Sequence, residues 1–261
     1  MSLVHALRAE GTKQRTVPAT VWLMLATAAA LAALGPAIVS SMDAARCPPA
    51  GCPRDLVRVA LTGTWLAQTT VALTGVLAAT VEFATQTVVT TVTAVPPRWR
   101  VVLAKAVVVA VVTAAATAIG AGVAFGLSRL LADDSRFTHA AGFAPLDLSG
   151  PSLRALGGTV AYLVAVALIG LGVGLLLRDT AWATSTVMGL LFSVPVLITF
   201  IGDPEWNERL QQVAPTAGLA VQATLGLSEL PIGPWRGLLV TTAYAAVLLA
   251  LGTWAFARRD P

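Results

Sequence analysis

Charge, cysteine and histidine are all scarce in this 261-residue chain, and each scarcity excludes something. Only 11% of the residues are charged, too few to cover the surface of an ordinary soluble domain of this length. Two cysteines, Cys47 and Cys52, and two histidines, His5 and His139, supply neither a metal constellation nor a catalytic dyad. The phosphate-cradling loop G-x-x-x-x-G-K-[ST] occurs nowhere, so nucleotide hydrolysis is not expected of this chain. Ionisable side chains are missing from the middle of every long apolar run. No intramembrane carboxylate and no inner charge pair is therefore expected to harvest an ion gradient.

What remains is hydrophobic. Residues of the apolar class make up 56% of the chain, and the mean hydropathy is +0.79. Six runs cover Ala19–Val39, Val59–Val81, Val101–Leu127, Ala155–Leu177, Ala181–Ile201 and Gly237–Ala257. At about 1.5 Å of rise per residue, each reaches the ~30 Å needed to cross a bilayer core. They lack the period-two alternation of barrel strands, so they are expected to be helices. The connections, residues 40–58, 82–100, 128–154 and 202–236, are each too short for an independent domain of ordinary size. The fold class is an all-α membrane protein, one transmembrane domain of six spans over residues 1–261. No cleavable signal peptide is expected, because the first run ends in Leu34-Gly35-Pro36 without a small-x-small site.

Orientation is weakly encoded. With the N-terminus inside, the 17 basic residues divide nine inside against eight outside, and this decides little under the positive-inside rule. The net charge of +4 with a pI of about 9.7 fits inner-face charge better than nucleic-acid binding. Cys47 and Cys52 bracket Pro48-Pro49-Ala50-Gly51 in the first connection. An oxidising outer face would permit a disulfide there, with a pair of free thiols as the alternative. Both termini are accordingly expected inside.

Three segments are expected to be neither spans nor plain loops. Leu3, Leu7 and Glu10 fall at helical spacing beside Arg8 and Lys13, giving a short amphipathic helix along the inner surface. Between spans two and three, Val88, Val92 and Val95 repeat at helical spacing in a threonine-rich stretch ended by Pro96-Pro97, which reads as a short helix and a rigid turn. Beyond span five, Asp203 is placed to cap a helix opened by Pro204. Ala217 to Leu225 then reads as a surface or partly re-entrant helix. Within the spans, Pro195 is a kink candidate, and Gly122/Gly126 and Gly170/Gly174 are small-xxx-small pairs suited to close packing. The threonines of span two can bond to carbonyls of their own helix. Gln68 cannot be dismissed so simply, because an amide in hydrocarbon needs partners, and it is expected to face another helix or a polar cavity.

At the junction of spans two and three the chain resembles the ABC-2 type permease of ATP-binding cassette exporters. The pattern is Glu82-Phe83 leaving span two, Thr87 with Thr90 and Thr91, Pro96-Pro97-Arg98, then Ala104-Lys105. It continues with Leu177-Arg178, Trp206 to Ala214-Pro215, Ala217-Gly218, Pro234-Trp235-Arg236-Gly237, and Phe256-Ala257-Arg258-Arg259-Asp260. Ala84 and Gln86 stand where members of that family often carry a basic residue and a glycine. The resemblance implies that Glu82, Phe83, Thr87, Val88, Val92, Val95, Pro96 and Arg98 form a cytoplasmic coupling helix seated on a separate ATPase subunit. That subunit, not this chain, would bind ATP and Mg. It further implies a second permease chain, and spans two and five beside the translocation path. The chain is expected in the inner (cytoplasmic) membrane, and its Ala-, Val- and Arg-rich composition suggests a GC-rich bacterium. Gln68, Thr69, Thr184 and Ser193 are the path candidates. A threonine-speckled apolar path would suit a hydrophobic or amphipathic substrate such as a drug, antibiotic, lipid or peptide. An ATP-independent transporter, or an anchoring or sensory module without transport, are the alternatives. Glu82 is also placed to pair with Lys105 or Arg98.

Overall fold

The computed structural model describes residues 3–42, 55–87, 98–132, 143 and 146–258. Among the described residues it is all-helical, with six helices long and apolar enough to cross a membrane. A short helix α1 (Leu3–Thr16) precedes span one, α2 (Pro18–Ser41). Span two comprises α3 (Leu56–Ala60) and α4 (Thr64–Ala84). Span three is α5 (Arg98–Leu131), and span four is α6 (Gly150–Leu177). Span five comprises α7 (Thr180–Met188), a π-helical turn (Gly189–Ser193) and α8 (Val194–Thr199). Helix α9 (Pro204–Val213), a 3-10 helix (Pro215–Gln222) and span six, α10 (Pro234–Arg258), complete the order.

Two spans are less regular than their hydropathy suggests. Span two was expected to run unbroken, yet residues 61–63 form a turn. There the ladder tightens to i→i−3 bonds, Thr62 N–H to Val59, Thr64 to Leu61 and Trp65 to Thr62. The Thr62 and Thr64 hydroxyls bind the Val59 and Leu61 carbonyls, both at 2.7 Å, competing with the regular ladder. The tightened turn lets Gly63 meet the backbone of span one, where a Cβ would stand 2.3 Å from the Ala30 carbonyl oxygen. In span five, Pro195 has no N–H to give, and the turn before it widens so that Val194 N–H reaches Gly189. The expected kink takes the form of a π bulge.

Span four is the hub, with 67% of its apolar window buried against 22% for spans five and six. It packs most extensively on α4 and α10. Glycines set the distance. A Cβ on Gly75 would stand 1.9 Å from the Ala167 carbonyl oxygen, and one on Gly170 would stand 2.3 Å from that of Ala72. Lipid supplies no hydrophobic drive for helix association, so this backbone contact carries much of it. Gly122 and Gly126, the other small pair, face open space and pack nothing.

Exposed tryptophans ring both ends of the bundle. Trp22, Trp99, Trp182 and Trp254 lie at the end that carries α1, and Trp65, Trp206 and Trp235 at the other. Two girdles of amphipathic rings are what two membrane–water interfaces select. At the far end, Asp203 caps α9 through the Glu205 and Trp206 N–H groups, as its position suggested. The 3-10 helix is buried rather than superficial. Gln222 donates to the Thr64 and Thr159 hydroxyls at 2.8 and 3.1 Å, and Thr241 donates to the Pro215 carbonyl at 2.7 Å. The Asp55 carboxylate accepts from the Thr224 and Leu225 N–H groups and the Thr224 hydroxyl. This segment plugs the bundle between spans two, four and six.

Candidate functional site

At the α1 end, four charged side chains from three segments of the chain meet, three of them buried. Glu10 of α1, Glu82 of α4 and Lys105 of α5 are 5%, 8% and 4% exposed. Lys105 Nζ donates to Glu10 Oε2 at 3.0 Å and to Glu82 Oε1 at 2.7 Å. Lys13 Nζ, half exposed, donates to Glu10 Oε1 at 3.1 Å and to the same Glu82 Oε1 at 2.7 Å. The cluster is electrically neutral. Burial pushes the Lys13 ammonium down, but the Glu82 hydrogen bond and the charges of Glu10 and Glu82 more than offset this, holding it above its ordinary value. Its contribution to stability is thus intact at neutral pH and is lost only as pH rises past that value.

The cluster corrects one expectation from sequence, that no inner charge pair exists. Lys105 lies seven residues into α5, about 10 Å along the helix. It is too deep to be a solvated flank, and it pairs with Glu82 rather than snorkelling to water. The signal was present on α1. Glu10 shares the spacing of Leu3 and Leu7, and a carboxylate on the apolar face of a helix requires a buried cation. Instead of lying free along a surface, α1 is tied to spans two and three.

Next to the ions, aromatic and cationic groups close the same end. Phe83 meets Phe256 edge to face, with ring centroids 6.1 Å apart. The Arg178 guanidinium stands 5.0 Å from the Phe83 ring centre. The Thr180 hydroxyl donates to that of Thr80 at 2.8 Å. Residues from four separate spans therefore converge on the foot of α4. Arg98 opens α5. Val88, Val92, Val95 and Pro96 lie outside the described residues, as do Cys47 and Cys52, so the coupling helix and the disulfide are sequence expectations only.

The exit from α4 is strained at one residue. Gln86 has φ 56°, the left-handed region where a side chain strains against its own backbone and glycine does not. A glycine at this position fits that geometry without strain. Gln86→Gly is expected to raise unfolding stability by about 0.5–1 kcal/mol, the relief of strain less the added freedom of the unfolded chain. Thermal unfolding in detergent checks it, and a loss of stability would contradict the assignment.

The path candidates do not share one surface in this conformation. Gln68 is fully buried and faces another helix, accepting from the Tyr162 hydroxyl at 2.7 Å. Its Nε2 has no partner among the described residues. Thr69 and Thr184 are half buried, while Ser193 is exposed within the π turn. The Thr70, Thr74 and Thr80 hydroxyls donate to carbonyls of their own helix. A cavity of about 280 Å³ at the far end lies between Trp65, Pro195, Thr199 and Ala217. A second, of about 440 Å³, adjoins the ion cluster and is lined by Gln14, Val17, Leu77, Val81 and Thr87 besides the ions. No family model matches the chain, and no curated protein matches it.

Proposed function

We propose that this chain is the membrane-spanning subunit of an ATP-driven exporter of the ABC-2 type, set in the inner (cytoplasmic) membrane with the α1 end facing the cytoplasm. The observation that carries the reading is the convergence at the foot of α4. Lys105, Arg178 and Phe256 are far from Glu82-Phe83 in sequence, yet they meet it around the junction where the family's coupling helix would begin. A junction held this way transmits motion. Force applied to residues 82–98 reaches α1 through Glu82, Lys13 and Glu10, and reaches span three through Lys105. A partner ATPase, which would bind ATP and Mg, supplies that force when its subunits close. A second permease chain completes the path, and the two rock between inward- and outward-facing states. The substrate is hydrophobic or amphipathic, in keeping with walls of apolar residues and scattered threonines.

Docking to the ATPase rests on Val88, Val92 and Val95 filling an apolar groove, because residues 83–97 carry no charge. Burying such side chains is worth roughly 1.5–3 kcal/mol each. The variant Val88→Asp/Val92→Asp is expected to lose the ATPase on purification while the permease stays in the membrane at normal yield. Normal ATPase retention with full transport in that variant would overturn the coupling assignment.

A further inference from the structure

The cavity of about 440 Å³ beside the ion cluster is amphipathic in a way the cluster itself does not need. One side is polar, with Glu10, Lys13, Glu82 and Lys105. The rest of the lining is largely apolar, with Leu77 and Val81 of α4 and Val17 before α2. Val17 and Val81 are themselves exposed, so the apolar lining reaches the surface of the bundle. Trp22, one turn along α2, is 71% exposed and places the cavity at the level of the membrane–water interface. A pocket with a charged floor and a mouth open to acyl chains at that depth has the form of a lipid headgroup site.

The charges narrow the headgroup. Two carboxylates and two ammoniums cancel, so there is no surplus charge to favour a purely anionic lipid. Lys13 spends two N–H groups on Glu10 and Glu82. Being half exposed, it has a third to offer a phosphate oxygen. Gln14, on the same wall, buries its Oε1 with no hydrogen-bond partner among the described residues. A buried amide oxygen without a donor is costly and calls for an N–H or O–H from outside the protein. We infer that the cavity binds a phospholipid with a primary-ammonium headgroup, of the phosphatidylethanolamine class, its phosphate on Lys13 and its ammonium on Gln14 Oε1 and the Glu82 carboxylate. A quaternary choline headgroup carries no N–H and leaves Gln14 unsatisfied. The inference requires only a membrane protein and does not depend on the transport reading.

Native mass spectrometry of the full chain, titrated in detergent with phosphatidylethanolamine, phosphatidylcholine and phosphatidylglycerol of one acyl composition, tests it. Phosphatidylethanolamine is expected to bind about tenfold more tightly than phosphatidylcholine, the worth of a hydrogen bond from a charged donor, and more tightly than phosphatidylglycerol. Gln14→Leu should bring the first ratio close to one, and Val81→Trp, which blocks the mouth, should weaken all three lipids. Equal binding of the ethanolamine and choline lipids would overturn the inference, as would a preference for the glycerol lipid. Survival of the ethanolamine preference in Gln14→Leu, or of undiminished binding in Val81→Trp, would do the same. The wild-type comparison decides the matter even if a variant does not fold.

Discussion

Replacing Lys105 by methionine is expected to destabilise the detergent-solubilised protein by about 3–5 kcal/mol, the typical cost of removing one partner from a buried ion pair. The change leaves Glu10 and Glu82, both almost fully buried, with only the half-exposed Lys13 between them. Two carboxylates in a low-dielectric site cannot be balanced by one partly solvated ammonium. Lys105→Arg should cost less, because it keeps the charge. Adding Glu82→Gln to Lys105→Met should recover part of the loss, because the excess negative charge disappears. Thermal unfolding of the single and double variants forms a cycle whose coupling energy isolates the pair. A Lys105→Met protein within 1 kcal/mol of the wild type would show that the four charges are not held together as described.

The second large effect belongs to the contact between α4 and α6. Gly75→Leu is expected to abolish a stable fold, because even the first side-chain carbon would stand 1.9 Å from the Ala167 carbonyl oxygen and 2.8 Å from the Leu171 nitrogen. Both obstacles are backbone, so relief requires the two helices to separate along their length. Overpacking that side chains can absorb costs about 1–3 kcal/mol; here there is no side chain to move. Gly122→Leu is the control. Nothing lies within 4 Å of a Cβ at that position, and its yield and unfolding temperature should match the wild type. Equal behaviour of the two variants, read by size-exclusion profile and thermal unfolding, would contradict the packing of spans two and four.

These two sites show what sequence discloses in such a protein. Hydropathy is a local property, and it located all six spans within a few residues, since each must cover the bilayer unaided. It did not show which faces meet. Gly170/Gly174 and Gly122/Gly126 are indistinguishable as patterns, yet only the first pair abuts another helix. The break at Leu61–Gly63 was not foreseen because the contact it permits, span one against Gly63, is tertiary. Gln68 was correctly expected to face another helix, but nothing nearby in sequence pointed to Tyr162. The Glu82–Lys105 pair was among the pairings expected for Glu82 and is present, but the part of Glu10 and Lys13 in the cluster was missed for the same reason. Each span taken alone shows a charge at its edge, and neutralisation appears only when α1, α4 and α5 are brought together. Pro195 and Asp203 were legible because proline chemistry and helix capping act within one turn of the chain.

The account stands most directly on whether an ATPase accompanies this chain. Isolation of the full-length protein from its native membranes in a mild detergent, with every co-purifying polypeptide identified by mass and ATP hydrolysis assayed in the same fraction, measures this. The predicted result is an ATP-binding cassette subunit present in equal amount, with hydrolysis that responds to an amphipathic substrate. A preparation that is folded and lipid-bound, yet contains no ATP-binding protein and hydrolyses no ATP, would contradict the account.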